Sequence, residues 1–412
     1  MVSSLYAGFS QVSIGDWVGY RMPGHSARVE PAVEQIDQLK IKAVYFKTAT
    51  TNVVILLADI VAIDYETEHR INRAVKNLFP EAQIEVVIAA THTHTGPPVF
   101  RLGDVSVHEP ARSDLVEAGV KAVRIAVREV GLVTKIEVRE VPNSFAVNRR
   151  LQSHSGVLMQ PNFDGPVVRM VTLFSFFKEL IDDDSSTGSL LGSLCILPMH
   201  PTTLSTSISA LSGDVAGALS LTIERRSENT VCLMFQGASG DVRPLITDSD
   251  DLFTGGTRED MQAMAHSIAE KLIRKDPAFT LKPRKILYQT RVINFEWTNE
   301  QQDSFRDYPS EQTISMITFN NDAAIVFVPG EPFADLSLSI QAQSAYPCTA
   351  LVGHCNSTVG YIPSATAFDE GGYEVEEAYS FYGFPGPLHR DSGNRLVETV
   401  VKILNDSVKL GL

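Results

Sequence analysis

The hydrophobic pattern of the chain alternates between short apolar runs and segments of helical period. Runs rich in β-branched and apolar residues at 41–47, 53–63 and 84–90 predict strands. Residues 65–79 carry a helical period that stops at Pro80. Residues 113–130 predict an amphipathic helix, with Ser113 as N-cap and Leu115, Val116, Val120, Val123 and Ile125 as its apolar stripe. Further strands are predicted at 135–141 (running into Asn148-Arg149-Arg150), 167–177, 193–199, 230–235, 285–295, 313–319, 323–328 and 350–353. Helices are predicted at 258–274, 331–345 and 394–405. Residues 5–24 and 354–392, dense in Gly and aromatics, read as irregular.

No internal repeat, linker or composition break divides the pattern, so one continuous α/β domain over residues 1–412 is expected. Several consecutive strands lack an intervening helix, so the sheets should be mixed.

Composition narrows the partners. The chain has 412 residues, 44% of them hydrophobic, and a formal charge of −14. That is a globular chain, and its acidity argues against a nucleic-acid backbone or an anionic membrane as partner. The four cysteines (Cys195, Cys232, Cys348, Cys355) form no Cys-x-x-Cys and read as small buried hydrophobes. No signal peptide and no apolar stretch of about 20 residues is visible, so a cytoplasmic protein without an integral membrane segment is expected. The acidic run Asp182-Asp183-Asp184 reads as a solvated tip.

Candidate chemistry sits at strand ends. The strand at 84–90 opens into Thr91-His92-Thr93-His94-Thr95-Gly96-Pro97. Alternate residues of an extended chain face one way, so His92 and His94 are expected in one cavity. A second apolar strand ends in Met199-His200-Pro201, and a third in Val328-Pro329-Gly330-Glu331. Glu331 reads equally as an acid stabilising a helix start. Together, imidazoles and a carboxylate at three strand ends make up the ligand set of a catalytic zinc. Ser239, in Gly-Ala-Ser-Gly-Asp, is a nucleophile candidate or a pocket-lining turn. Asp214 and Asp241 are candidates to orient histidines, or simply to cap turns. There is no Gly-x-Ser-x-Gly elbow, phosphate-binding loop or dinucleotide fingerprint.

At these residues the chain resembles the neutral/alkaline (non-lysosomal) ceramidases. Their zinc domain carries Thr-His-Thr-His-Ser-Gly-Pro, close to residues 91–97 here. It also has Asn-Arg-Ser (here Asn148-Arg149-Arg150), Val-His-x-Thr-Ser (here Met199-His200-Pro201-Thr202-Thr203) and Pro-Gly-Glu (here Pro329-Gly330-Glu331). A late Tyr-rich stretch compares with Gly360-Tyr361 and Gly371-Gly372-Tyr373-Glu374. The resemblance implies a layered αββα-like sandwich, two mostly mixed β-sheets flanked by helices. It implies a zinc ion held by His92, His200, Glu331 and Tyr361, with His94, Arg149 and Tyr373 as catalytic partners. Arg243, which stands where the ceramidases carry an active-site Ser, joins the expected site with Asp241. No C-terminal immunoglobulin-like domain like theirs is expected beside this domain.

The function implied is zinc-dependent hydrolysis of an amide bond in a small-molecule substrate other than ceramide. His94 would act as general acid–base and the tyrosines would stabilise the oxyanion. A metal-free hydrolase using Ser239 is one alternative. Another is an esterase or phosphoesterase in which Arg149, Arg150 and Arg243 clamp an anion, although the same trio reads as salt-bridged surface. A binding protein that has kept the fold is a third. A homo-oligomer is compatible with the sequence.

Overall fold

The computed structural model describes residues 4–25, 28–179, 188–227, 230–298 and 309–409. The acidic run at 182–184 lies outside them.

One connection pattern is used three times: three strands, a helix, a strand, a helix. The first copy comprises β1 (Tyr6–Ser13), β2 (Lys40–Lys47), β3 (Asn52–Ala58), α1 (Tyr65–Lys76), β4 (Glu85–Ala90) and α2 (Glu109–Arg128). The second comprises β5 (Lys135–Pro142), an inserted hairpin β6 (Ala146–Ser153) and β7 (Gly156–Asn162), then β8 (Met170–Lys178), β9 (Ser189–Leu197), α3 (Asp214–Glu224), β10 (Cys232–Gln236), the short β11 (Val242–Pro244) and α4 (Arg258–Arg274). The third comprises β12 (Ile286–Asn294), β13 (Glu311–Phe319), β14 (Ala323–Phe327), α5 (Ala334–Gln343), β15 (Cys348–Val352) and α6 (Ser392–Lys409).

Each copy makes one mixed sheet, in the orders β4-β3-β2-β1, β10-β9-β8-β5 and β15-β14-β13-β12. In each, the pair spanning a helix is parallel (β3/β4, β9/β10, β14/β15) and the other pairs are antiparallel. A parallel pair needs a crossover, and α1, α3 and α5 supply it. The repeat is absent from the sequence because what recurs is the order of elements, not residue identity.

The inner faces of the three sheets share one core. At its middle lie Phe46, Phe176 and Phe319, one from the corresponding strand of each copy, all fully buried. Their ring centroids are 5.3, 5.6 and 6.0 Å apart. The outer faces are covered by α1 and α2, by α3 and α4, and by α5 and α6. Because both faces are covered, strands such as β3 are apolar throughout rather than alternating. The expected layered α/β sandwich of mixed sheets flanked by helices is therefore present, with three sheets around the core instead of two. The four cysteines are buried and unpaired. Among the described residues no helix is long and apolar enough to cross a membrane.

Several boundaries differ from expectation. The segment 5–24 contains β1; its Gly8 lets α2 approach so closely that a Cβ there would lie 1.9 Å from the Ala126 carbonyl oxygen. Helix α2 starts at Glu109, before Ser113, because Pro110 fits its first turn. Helix α3 carries too little apolar periodicity to be read from sequence, being apolar almost all round. The helix expected from 331 begins at Ala334, because Glu331–Pro332 pairs with Tyr361–Ile362 as a short parallel ladder.

Asp241 links the second copy to the third. Its carboxylate accepts hydrogen bonds from the Asn148 side chain (2.7 Å) and from the Ala334 backbone N–H at the start of α5 (2.8 Å). Burial pushes this carboxyl up to about 7.

Two outcomes are expected. Phe176→Ala opens a cavity where three sheets meet and should cost about 3–5 kcal/mol in chemical denaturation. The fold favours protonated Asp241, so its contribution is fully present below the unfolded pKa near 4 and is lost as pH rises to about 7. Asp241→Asn should therefore gain about 2 kcal/mol relative to the parent chain between pH 5 and pH 7.5. Urea midpoints measured across that range check the sign.

Candidate metal centre

The parallel pairs aim their carboxyl ends at one point. After β4 come Thr91 and His92; after β9, Pro198, Met199 and His200; after β14, residues 328–330 and Glu331; after β15, Gly353 and His354. Ligands gather at such strand ends because the loops there are free of the sheet ladder. The segment just past the neighbouring strand of a pair orients His92 and His200. The Val61 carbonyl, beyond β3, accepts from His92 Nδ1 at 2.6 Å. The Ser239 carbonyl, beyond β10, accepts from His200 Nδ1 at 2.6 Å. Both rings thus present Nε2 to the centre.

His92 and His94 do meet, Nε2 to Nε2 at 3.0 Å, but not by strand alternation. His92 has φ +63°, a left-handed conformation that turns the chain after one residue. His354, at the equivalent position of the third copy, has φ +54° and stacks its ring on His92 with centroids 3.8 Å apart. Non-glycine residues in this region cost free energy and cluster at functional sites.

Glu331 Oε2 lies 3.0 Å from His200 Nε2, 3.4 Å from His92 Nε2 and 3.9 Å from His354 Nε2. Its other oxygen accepts from the Tyr382 hydroxyl. Gly330 makes this placement possible: at φ +73° its Cα passes so near the Gly360 carbonyl that a Cβ would sit 2.3 Å from that oxygen. His200 Nε2, Glu331 Oε2 and both ring nitrogens of His354 are buried without a hydrogen bond of good geometry. Orphaned polar atoms in a core are costly unless a further group satisfies them. Ligand bonds of about 2.0–2.1 Å to one ion leave ligand atoms about 3–4 Å apart, as here. Two overlapping sets, His92/His94/His200 and His92/Glu331/His354, hold donor atoms within 4.8 Å of one another. The residues therefore fit a divalent cation, and nitrogen plus carboxylate donors suit zinc.

Protonation states agree. Burial lowers His92 to about 4 and holds His94 and His354 well below the ordinary value. Burial raises Glu331, but His92, His200 and His354 outweigh it and keep the carboxyl below the usual range. Neutral imidazoles and an ionised carboxylate are what metal binding requires.

The remaining expected residues divide. Tyr361 pairs with Glu331 through the backbone and accepts a hydrogen bond from Arg149 Nη2 at 3.0 Å. Arg149 and Arg150, both buried, share the two oxygens of Glu374 at 2.7 Å each. They are neither an anion clamp nor surface residues. Glu374 and Tyr361 keep Arg149 above its ordinary value against the opposing effect of burial. Asp241 makes no hydrogen bond to a histidine ring; the backbone of its loop does that work. Asp214, φ +52°, accepts from the Thr203 and Leu204 backbone N–H groups and anchors the loop after His200. The Ser239 hydroxyl is engaged by Gln236 Nε2 (2.6 Å) and the Gly237 carbonyl (3.1 Å), so it is poorly placed as a nucleophile.

A cavity of about 530 Å³ opens over the centre. His92, His94, Arg149, Arg243, Tyr361 and Tyr373 line it, with His25 and Tyr382. Leu102, Val105, Met159 and Phe381 give it an apolar side. Sequence reading missed His25, His354 and Tyr382. His354 carried a usable signal, since it follows a strand end as His92 and His200 do. His25 and Tyr382 carried none, because irregular segments bring them in.

No family model and no curated protein matches the sequence at a significant level. Solved structures do match in fold. Neutral ceramidase from Pseudomonas aeruginosa superposes with a TM-score of 0.79 at 15% identity, over 99% of this chain and 74% of that one. A ceramidase complexed with C2 gives 0.78 at 14% identity, over 99% and 75%. This chain has the neutral ceramidase fold.

Proposed function

We propose that this chain is a zinc-dependent hydrolase that cleaves an amide C–N bond with water, and that residues 1–412 act as one catalytic domain. The observation that carries the reading is the convergence of His92, His200 and Glu331 from three sheets, with orphaned donor atoms facing one point. The neutral ceramidase fold supports it. His92, His200, Glu331 and Tyr361 would hold the ion, with His354 as an additional nitrogen beside them. Zinc bound there supplies Lewis acidity, which makes water acidic near neutral pH and polarises a carbonyl.

The chain's own residues supply the rest. His94 is neutral, lines the cavity and leaves Nδ1 without a partner, so it can take a proton from the attacking water. The C–O bond forms as that proton is taken, and His94 then delivers it to the leaving nitrogen as the C–N bond breaks. The Tyr373 hydroxyl, which burial keeps protonated up to about 12, donates to the carbonyl oxygen as negative charge grows on it. Arg149, fixed by Glu374, holds the Tyr361 oxygen in place. Tyr382 holds the second oxygen of Glu331. The substrate is a small amide other than ceramide.

Metal analysis tests the ligand set. His200→Ala should lower bound zinc at least tenfold, because the remaining donors lose a fixed nitrogen. Full zinc occupancy in that variant would sink the reading. Dialysis against a chelator should abolish hydrolysis and added zinc should restore it; a Ser239 enzyme would keep working. His94→Gln should retain zinc while kcat falls about 10²–10⁴-fold, the usual contribution of a positioned acid–base group.

A further inference from the structure

We propose that the amide substrate carries an anionic group, a carboxylate or a phosphate, that Arg243 binds at the wall of the cavity. This rests on the hydrolase reading above and names its substrate class.

Two cationic side chains, Arg149 and Arg243, stand in the cavity wall. Arg149 is neutralised by Glu374. Arg243 lines the same cavity; the cavity's one carboxylate residue outside the metal centre, Asp104, pairs with Arg21, and among the described residues no carboxylate lies within ion-pair distance of Arg243. Its guanidinium lies over the Phe253 ring, 4.5 Å from the centroid. Stacking on a ring fixes the plane of the group and leaves its N–H edge open to a planar oxyanion. The backbone beneath is held as well, because Val242, Arg243 and Pro244 pair with Asn148, Val147 and Ala146 of β6. Burial, and then the charge of Arg149, lower Arg243 to about 10. A half-buried cation stacked on a ring, with its remaining edge toward a substrate cavity, is placed to receive an anion.

The opposite character of the rest of the wall completes the class. Leu102, Val105 and Phe381 offer an apolar surface for an acyl chain. The cavity of about 530 Å³ is of a size for one small amphipathic molecule. A neutral amino alcohol in place of the anionic portion would leave Arg243 unpaired, so the site should discriminate against it.

The test compares three amides with one acyl chain: N-acylglycine, N-acyl-aminoethyl phosphate and N-acylethanolamine, all with the zinc-loaded protein. One of the anionic compounds should exceed the neutral one in kcat/KM by about 100-fold, and which one does so separates carboxylate from phosphate. Arg243→Met should reduce that ratio about 100-fold, mainly through KM, and Arg243→Lys should recover part of it. Calorimetric binding of the three compounds to the His94→Gln protein gives a readout free of turnover. Equal handling of neutral and anionic amides, with the ratio unmoved in Arg243→Met, would overturn the inference and leave the hydrolase reading standing. Absence of hydrolysis for all three, with anion binding that depends on Arg243, would overturn the hydrolase reading and support the anion site.

Discussion

Two backbone carbonyls, those of Val61 and Ser239, decide what the centre of this molecule can do. Each accepts the Nδ1 proton of a histidine and turns its Nε2 inward. Each lies just past the end of the strand paired with the one that the histidine follows. The orientation is therefore a property of a parallel strand pair, and the fold contains three such pairs. If a crossover helix failed to pack, the carbonyl would shift relative to its imidazole. The core of the three sheets and the helices on their backs thus fix the geometry of a few atoms at the middle.

The electrostatics follow from the same burial. Burial holds His92, His94 and His354 below the ordinary imidazole value, while His92, His200 and His354 keep the Glu331 carboxyl below the usual range against the opposing effect of burial. One layer out, two buried guanidiniums are matched to Glu374, which burial would raise but Arg149 and Arg150 hold low. The layers nearest the candidate metal centre are closed by partners of the chain itself. Arg243, on the cavity wall, is where the matching stops, and the cavity is where a partner can enter.

The legible part of the structure was the part governed by local rules. Helix α4 was read to the residue, because Thr257 and Asp260 form a capping box and the apolar stripe is regular. Most long strands were found, since strands buried on both faces are continuous apolar runs. Strand β1, the hairpin β6–β7 and helix α3 were not. Their small and mixed residues, such as Gly8 and Gly217, answer to the packing of a distant helix or loop rather than to their own period. The recurrence of the three-sheet plan was invisible for a related reason: topology constrains which positions are buried and leaves their identities free.

The sequence by itself determined the donors: imidazoles at 92, 94 and 200 and a carboxylate at 331, each just past an apolar strand. It also determined that each strand must stop there, because Gly and Pro follow or intervene. Only the tertiary structure decided that these ends coincide. It added His354 and Tyr382 from a segment without regular period, and it engages the polar atoms of Ser239 and Asp241 with groups other than the histidine rings. It separated Arg243 from Arg149 and Arg150, which are identical side chains to a reader of sequence. The physical reason is common to all of these: a residue's chemical role depends on which groups share its desolvated volume, and that is set by contacts between residues far apart in the chain.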